Sequence, residues 1–190
     1  MLSSVWLRML VAAVEVLAMT AGVEAQVRVT ISATKEKSLD QLLVEKIRCA
    51  RDLVYTEARG ESEYGQMLVI WTVIRRMSEK RPEWSGSFCD NVYRIRFVKE
   101  RMVSQYAGPI HKPVTLRDDD PELVKIAQLA IRVLLGYAVV RPEHRCVVAY
   151  QRPEHADARN QGWFSTLNHL GRIGRHNFYC LPSPQNVAVR

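Results

Sequence analysis

The 190-residue sequence lacks several features that would point at once to a particular class of protein. Its cysteines include no C-x-x-C pair, so the usual zinc motifs are missing. It has no repeats, no low-complexity segment, and no zinc-finger or RNP motif of the kind that marks nucleic-acid-binding proteins. Its apolar and charged fractions, 47% and 25%, are those of an ordinary globular chain with room for one core. We therefore expect one domain without a metal, a cofactor or a nucleic-acid partner.

The N-terminal segment has the pattern of a secretory signal peptide. Arg8 precedes an apolar run over residues 9–18, which is too short to span a membrane comfortably. Residues 23–25 offer a plausible cleavage site, although Glu15 is unusual within such a run. We expect export to the periplasm or cell envelope, with this division of the chain: signal peptide 1–25, N-terminal arm 26–37, domain 38–181 and tail 182–190.

Charge and cysteine content agree with export. Residues 1–25 hold one basic and two acidic residues, so the rest of the chain carries a formal charge of +8, which suits an anionic target such as a cell envelope. An even number of cysteines in an exported chain suggests two disulfides, and three pairings remain open. The four candidates are Cys49, Cys89, Cys146 and Cys180.

The segment from Ser38 to Arg59 has the pattern of an amphipathic helix that ends in a carboxylate. Ser38 and Gln41 form a capping box, and Gly60 stands where a helix commonly terminates. Glu57 continues the apolar face one turn before that end. Partial burial and the negative end of the helix dipole both disfavour a charged carboxylate, which suits a general acid. The alternative is that Glu57 lies at the edge of the face and reaches water. The apolar face is formed by Leu43, Ile47, Ala50 and Val54.

Caps and periodicity predict the remaining elements and a mainly helical α+β domain. Residues 97–106 could be helical, whereas residues 151–172 are rich in charge, His, Asn and Gly and are expected to form a long loop. At most one small hairpin is expected. The predicted helices cover 62–77, 87–94 and 120–136, and the predicted strands cover 146–150 and 173–180.

Four short motifs resemble those of the SleB-like cell wall hydrolase family. The first is Y-x-E-A-R-G-E at residues 55–61, and the last is I-G-R-H-N-F-Y at residues 173–179. Between them lie S-F-C-D-N-V-Y at 87–93 and S-Q-Y at 104–106. The resemblance covers roughly residues 49–180. It implies a lysozyme-like α+β domain that cleaves peptidoglycan.

This resemblance implies one-glutamate chemistry at Glu57. A lytic transglycosylase uses one residue, first as acid at the bond between N-acetylmuramic acid and N-acetylglucosamine, then as base on the substrate's C6 hydroxyl. A muramidase that uses water instead needs a second carboxylate, for which Glu61 and Asp90 are the candidates. We interpret Glu61 as a charge at the start of the next helix and Asp90 as a local cap.

Sugar-binding clefts commonly present aromatic faces and amides, and several such residues lie in or near the motifs. The family pattern often has Asn-Pro after its tyrosine-rich strand, but this chain has Gln151, Arg152 and Pro153, so its substrate preference is open. The candidate substrate-binding residues are Gln105, Tyr106, Tyr150, Trp163, His176 and Phe178.

Two other classes of protein are compatible with this composition. One is a non-catalytic envelope protein that binds glycan or acts as a scaffold on the same fold. The other is a cysteine peptidase that pairs Cys89 or Cys146 with His169 or His176, although no nucleophile signature surrounds either cysteine. For the favoured enzyme we expect a monomer acting on peptidoglycan strands, with envelope or phage lysis partners.

Overall fold

The computed structural model describes residues 37–98, 101–104, 106, 119–155 and 158–182. The predicted signal peptide, Gln105 and most of the N-terminal arm and the tail lie outside these residues. The helices are α1 Leu39–Glu57, α2 Glu63–Ser78, α3 Phe88–Val92, α4 Pro121–Leu134 and α5 Ala158–Phe164. The strands are β1 Ile95–Val98, β2 Arg101–Ser104, β3 Val147–Gln151, β4 Asn168–Ile173 and β5 His176–Cys180. Single 3₁₀ turns occur at Pro82–Trp84, Pro142–His144 and Pro153–His155.

The caps set the helix boundaries as the sequence predicts. Ser38 and Gln41 exchange both bonds of a capping box at the start of α1, and Ser62 caps α2 through the main-chain N–H of Gly65. The chain leaves α1 through Gly60, whose φ of +80° is in the left-handed region that glycine adopts without strain. The turn between α1 and α2 is therefore short and defined.

Helix α2 is the centre of the hydrophobic core. It is buried on most of its sides, as expected of a helix whose apolar residues do not form a single stripe. Helices α1, α3 and α4 and strand β3 all contact it. Residues of α2 that are fully buried are Leu68, Val69, Ile70, Thr72 and Val73.

Strands β3, β5 and β4 form an antiparallel sheet in that order, and β1 pairs with β2 in a separate hairpin. Two sequence predictions are wrong here. Within residues 97–106, which were expected to be helical, residues 97–98 and 101–104 instead belong to β1 and β2, whose sequences include β-branched and aromatic residues. Residues 151–172 are not one long loop, since they contain α5 and β4. Strand β4 is polar because it is an exposed edge strand, held through its main chain by β5.

Two disulfides join distant parts of the domain. Cys49 on α1 is bonded to Cys89 on α3, and Cys146 before β3 is bonded to Cys180 on β5. All four cysteines are thus bonded, so the cysteine-peptidase hypothesis is wrong. Disulfides are typical of proteins outside the reducing cytoplasm. Within the described ranges, no helix is long and apolar enough to cross a membrane.

Candidate active site

The C-terminal end of α1 is held in place by side chains from other parts of the chain. A helix leaves its last carbonyl groups without partners inside the helix, and here three carbonyl groups at and just beyond the helix end accept hydrogen bonds from side chains. Two of the donors are guanidinium groups, which also oppose the negative end of the helix dipole. The bonds are Arg152 Nη2 to Glu57 O (2.7 Å), Gln66 Nε2 to Ala58 O (3.5 Å) and Arg175 Nη2 to Arg59 O (3.0 Å). The half-buried Glu57 therefore has a main chain fixed against α2 and the three-stranded sheet.

Glu61, the first alternative carboxylate, is an anchor for the loop between β4 and β5. Its side chain is only 3% exposed. Its Oε2 accepts from the main-chain N–H of Arg175 at 3.0 Å, and its Oε1 accepts from Arg175 Nε at 2.9 Å. Burial alone would raise the pKa of Glu61, but these hydrogen bonds from Arg175 outweigh it and lower the pKa. Glu61 is thus a bound carboxylate, with both oxygen atoms engaged.

His176 connects the Glu61 anchor to the end of α1. The ring is buried, with Nδ1 3.5 Å from Glu61 Oε1 and Nε2 accepting from Arg152 Nε at 3.3 Å. Burial, with the nearby Arg152 cation, lowers the pKa of His176 to about 4. A neutral ring with Nε2 as acceptor carries its proton on Nδ1, which faces Glu61. His176 therefore orients Arg152, whose Nη2 donates to the carbonyl of Glu57.

The lowered pKa of His176 predicts a loss of stability in mild acid. The unfolded chain takes up a proton near pH 6.5, whereas the folded chain resists it to about pH 4. The free energy of unfolding should therefore fall as the pH is lowered through this window, and protonation of Glu61 should add to the loss below it. Urea unfolding at several pH values measures the slope. His176→Gln should flatten it, while His169→Gln, at an exposed histidine, controls for loss of a ring. An unchanged slope in His176→Gln would contradict this assignment.

Among the aromatic candidates, Tyr150 has a pKa that is influenced by the charge of Glu57. Its ring meets the edge of His176 at 5.2 Å and stacks on Tyr106 at 5.9 Å. Burial of its hydroxyl raises the pKa of Tyr150 well above the usual value, and the charge of Glu57 adds to the increase. The hydroxyl therefore keeps its proton within electrostatic reach of Glu57. It is buried and makes no hydrogen bond within the described part of the chain.

The remaining candidates separate by location. Phe178 is fully buried behind Tyr150, so it packs rather than offering a surface. Tyr106 is 4% exposed, and its hydroxyl accepts from Arg76 Nη1 at 3.0 Å. Trp163 on α5 is 39% exposed and lies over the Arg76 guanidinium. The structure thus brings Tyr106, Phe178 and His176 together around Tyr150.

Asp90, the second alternative carboxylate, has the capping role that the sequence predicts. Its Oδ2 accepts from Ser87 N at 2.8 Å at the start of α3, and the bonds from the main chain and side chain of Ser87 lower the pKa of Asp90. The neighbouring Cys89 is bonded to Cys49, eight residues before Glu57 on α1. Eight helical residues correspond to about 12 Å, so α1 separates Asp90 from Glu57.

Three residues that shape the site were not among the sequence-based candidates: Arg152, Gly174 and Arg175. Arg152 stands out in the sequence only as a departure from the family pattern. Gly174 and Arg175 lie inside the I-G-R-H-N-F-Y motif. Gly174 has a φ of +60°, and a Cβ there would overlap Glu61 Oε2. The glycine within the motif is the local sequence feature that indicates close contact between residue 174 and another side chain.

Helices packed around a central buried helix, with a small antiparallel sheet beside a helix that ends in glutamate, define a mainly helical, lysozyme-like α+β fold. Among solved structures, the chain is similar to the catalytic domain of the Bacillus cereus SleB protein, with a TM-score of 0.52 and 17% sequence identity. The match covers 72% of this chain and 90% of that one. No family model and no curated protein matches the sequence. At this identity the likeness shows the fold.

Proposed function

We propose that the protein is a peptidoglycan-cleaving enzyme, specifically a lytic transglycosylase with Glu57 as its one catalytic carboxylate. The observation that carries the proposal is the position of Glu57. It ends α1, and the carbonyl groups at this helix end accept hydrogen bonds from Gln66 on α2 and from Arg152 and Arg175 beside the sheet. A glutamate whose main chain is fixed in this way starts from a defined position, which helps its side chain to meet a bound glycan at the distance that general acid catalysis requires. The SleB-like fold and the Y-x-E-A-R-G-E motif support the same assignment.

In the proposed mechanism Glu57 acts twice. Its carboxylic acid first donates a proton to the glycosidic oxygen, so that the N-acetylglucosamine unit leaves with a free hydroxyl group. The resulting carboxylate then takes the proton from the C6 hydroxyl of the N-acetylmuramic acid unit. The C6 oxygen bonds to C1 and closes a 1,6-anhydro ring. The acid is restored and no water is consumed. The buried Tyr150 hydroxyl keeps its proton, so it adds no second negative charge near Glu57.

The state of the other two carboxylates favours this reaction over hydrolysis. An inverting or retaining hydrolase needs a second free carboxylate about 5–9.5 Å from the first. Both oxygen atoms of Glu61 are engaged by Arg175, and Asp90 caps α3. Neither is free to activate water or to attack the sugar without first breaking a bond that supports the fold.

The cellular setting is part of the proposal. The two disulfides and the basic composition suit an exported protein that acts on an anionic wall, in the periplasm or the envelope. Local wall remodelling, assembly of an envelope machine and phage lysis all supply such a substrate, and each would bring its own partner. We propose that the enzyme acts as a monomer.

Product analysis tests the proposal. Purified peptidoglycan is incubated with the protein, and the soluble fragments are identified by mass spectrometry. We expect 1,6-anhydro-muropeptides. Fragments with reducing ends, each heavier by one water, would overturn the transglycosylase assignment in favour of a muramidase. Intact glycan with a folded protein, tried on several wall types, would leave the non-catalytic glycan-binding scaffold.

A further inference from the structure

The three-stranded sheet has a second face, opposite to the one that carries Tyr150. Side chains alternate between the two faces along each strand, so Tyr150 and Phe178 join the main helical core while the residues beside them point the other way. Gln151 and Asn177 are cross-strand partners on this second face, which also carries Tyr179. Helix α5 lies over it through Phe164, whose ring centroid is 4.9 Å from that of Tyr179.

A pocket of about 340 Å³ lies between this face and α5. Its size is within the ~300–1,000 Å³ range of sites that hold small molecules or single sugar units. Phe164 supplies an apolar wall. The polar lining comes from Gln151, Gln161, Ser165, His169, Asn177 and Tyr179.

The lining chemistry restricts the ligand. Three amides and two hydroxyls can each donate and accept, and no Asp, Glu, Lys or Arg is among the lining residues in the described part of the chain. Such a pocket suits a neutral ligand with amide and hydroxyl groups. The terminal oxygen of Gln151 is buried and makes no hydrogen bond to any residue in the described ranges. A buried acceptor of this kind is costly unless a ligand or a water satisfies it.

We propose that this pocket binds an N-acetylated sugar unit of a glycan strand, at a site separate from the cleavage centre. The amide N–H of an acetamido group can donate to the Gln151 oxygen, and its carbonyl can accept from an amide of Asn177 or Gln161. Its methyl group can pack on Phe164 and Tyr179. Trp163, partly exposed and 5.1 Å from Phe164 between ring centroids, extends the aromatic surface.

The identification of the sugar as part of a peptidoglycan strand rests on the proposed function, whereas the preference for an acetamido group rests on the pocket lining alone. Within that function, a strand bound on the second face would stay attached to the protein between cleavage events. A peptide stem is the less suitable occupant, because its carboxylates would find no cation among the lining residues that the structure describes.

Nuclear magnetic resonance can test the site directly. The probe is tri-N-acetylchitotriose, titrated into the Glu57→Gln protein so that no cleavage occurs. We expect saturable shifts of the side-chain NH₂ signals of Gln151, Gln161 and Asn177. The NH₂ signal of Gln128, exposed on α4, should not move. Gln161→Ala, on the exposed side of α5, should raise Kd about three- to tenfold, the loss expected for one hydrogen bond. Gln128→Ala should leave Kd unchanged.

The outcomes separate this proposal from the proposed function. Shifts confined to residues around Glu57 and Tyr150, or no shifts at all, would overturn the second site, and cleavage of peptidoglycan by the unmodified protein would still support the enzyme. Movement of the three amides with a free stem peptide but not with the sugar would also overturn it. Pocket shifts with an unmodified protein that leaves peptidoglycan intact would retain the site and reject the enzyme.

Discussion

Glu57→Gln should lower the rate of peptidoglycan cleavage about a thousandfold or more, while the protein stays folded. The amide keeps the shape of the side chain but cannot donate a proton to the leaving oxygen or take one from the C6 hydroxyl. General acid–base catalysis alone contributes about 10²–10⁴ in rate, and both halves of the proposed reaction depend on this one residue. The main-chain bonds to Arg152 and Gln66 do not involve the carboxylate, so circular dichroism and the unfolding midpoint should change little.

Two neighbouring glutamates provide the controls for this result. Glu63→Gln changes a carboxylate at the exposed start of α2 and should leave the rate within about twofold, since surface changes of this kind are small. Glu61→Gln should reduce both stability and rate, because it weakens the anchor of Arg175. Full activity in Glu57→Gln would contradict the assignment of the acid. A complete loss of activity in Glu61→Gln with unchanged stability would make Glu61 the better candidate.

Local sequence signals predicted those parts of the fold that depend on local interactions. The N-caps Ser38, Ser62, Ser87 and Asp120 each accept a main-chain hydrogen bond at the start of the helix that the sequence predicts. Caps are formed by residues within three positions of one another, so a short stretch of sequence contains both the donor and the acceptor. The even cysteine count likewise predicted two disulfides, but not which partners lie together.

Strand β4 escaped prediction although its partner β5 begins only three residues after it ends. The main chain of β4 is held by β5, and its side chains are mostly exposed, so its composition resembles that of a loop. The second face of the sheet, with its pocket, depends on this pairing and on α5. It could not be inferred while residues 151–172 were expected to be a loop. Trp163 was identified as a candidate sugar contact, but its place on α5 beside Phe164 follows only from the fold.

The hydrogen bonds that hold the main chain around Glu57 come from residues far away in the sequence. Arg152 binds the carbonyl of Glu57 across 95 residues, and Arg175 binds that of Arg59 across 116. Periodicity predicted where Glu57 lies on its helix, but it carries no information on what holds the helix end. The family resemblance identified the motif that contains Arg175. The structure shows that Arg175 joins Glu61 to the carbonyl of Arg59.

Gly174→Ala should destabilise the protein by about 3 kcal/mol or more, a large effect for the addition of one methyl group. Alanine at a φ of +60° costs about 1–2 kcal/mol by itself. The added methyl group would also overlap Glu61 Oε2, so the carboxylate must leave Arg175 and His176. Breaking a buried pair costs about 3–5 kcal/mol, and we expect roughly half of that because the Arg175 side chain is 49% exposed.

Gly136→Ala is the matched control for this substitution. Gly136 has a φ of +78°, and an added Cβ there would meet no atom within 4 Å, so only the backbone cost remains. Urea unfolding of both variants measures the difference, which we attribute to Glu61. In a Glu61→Ala background the extra cost of Gly174→Ala should disappear, because the carboxylate with which the methyl group would overlap is gone. Equal destabilisation by the two glycine substitutions in the unmodified protein would mean that Glu61 is not fixed against residue 174. Glu61 would then not be the residue that positions Arg175 at the end of α1.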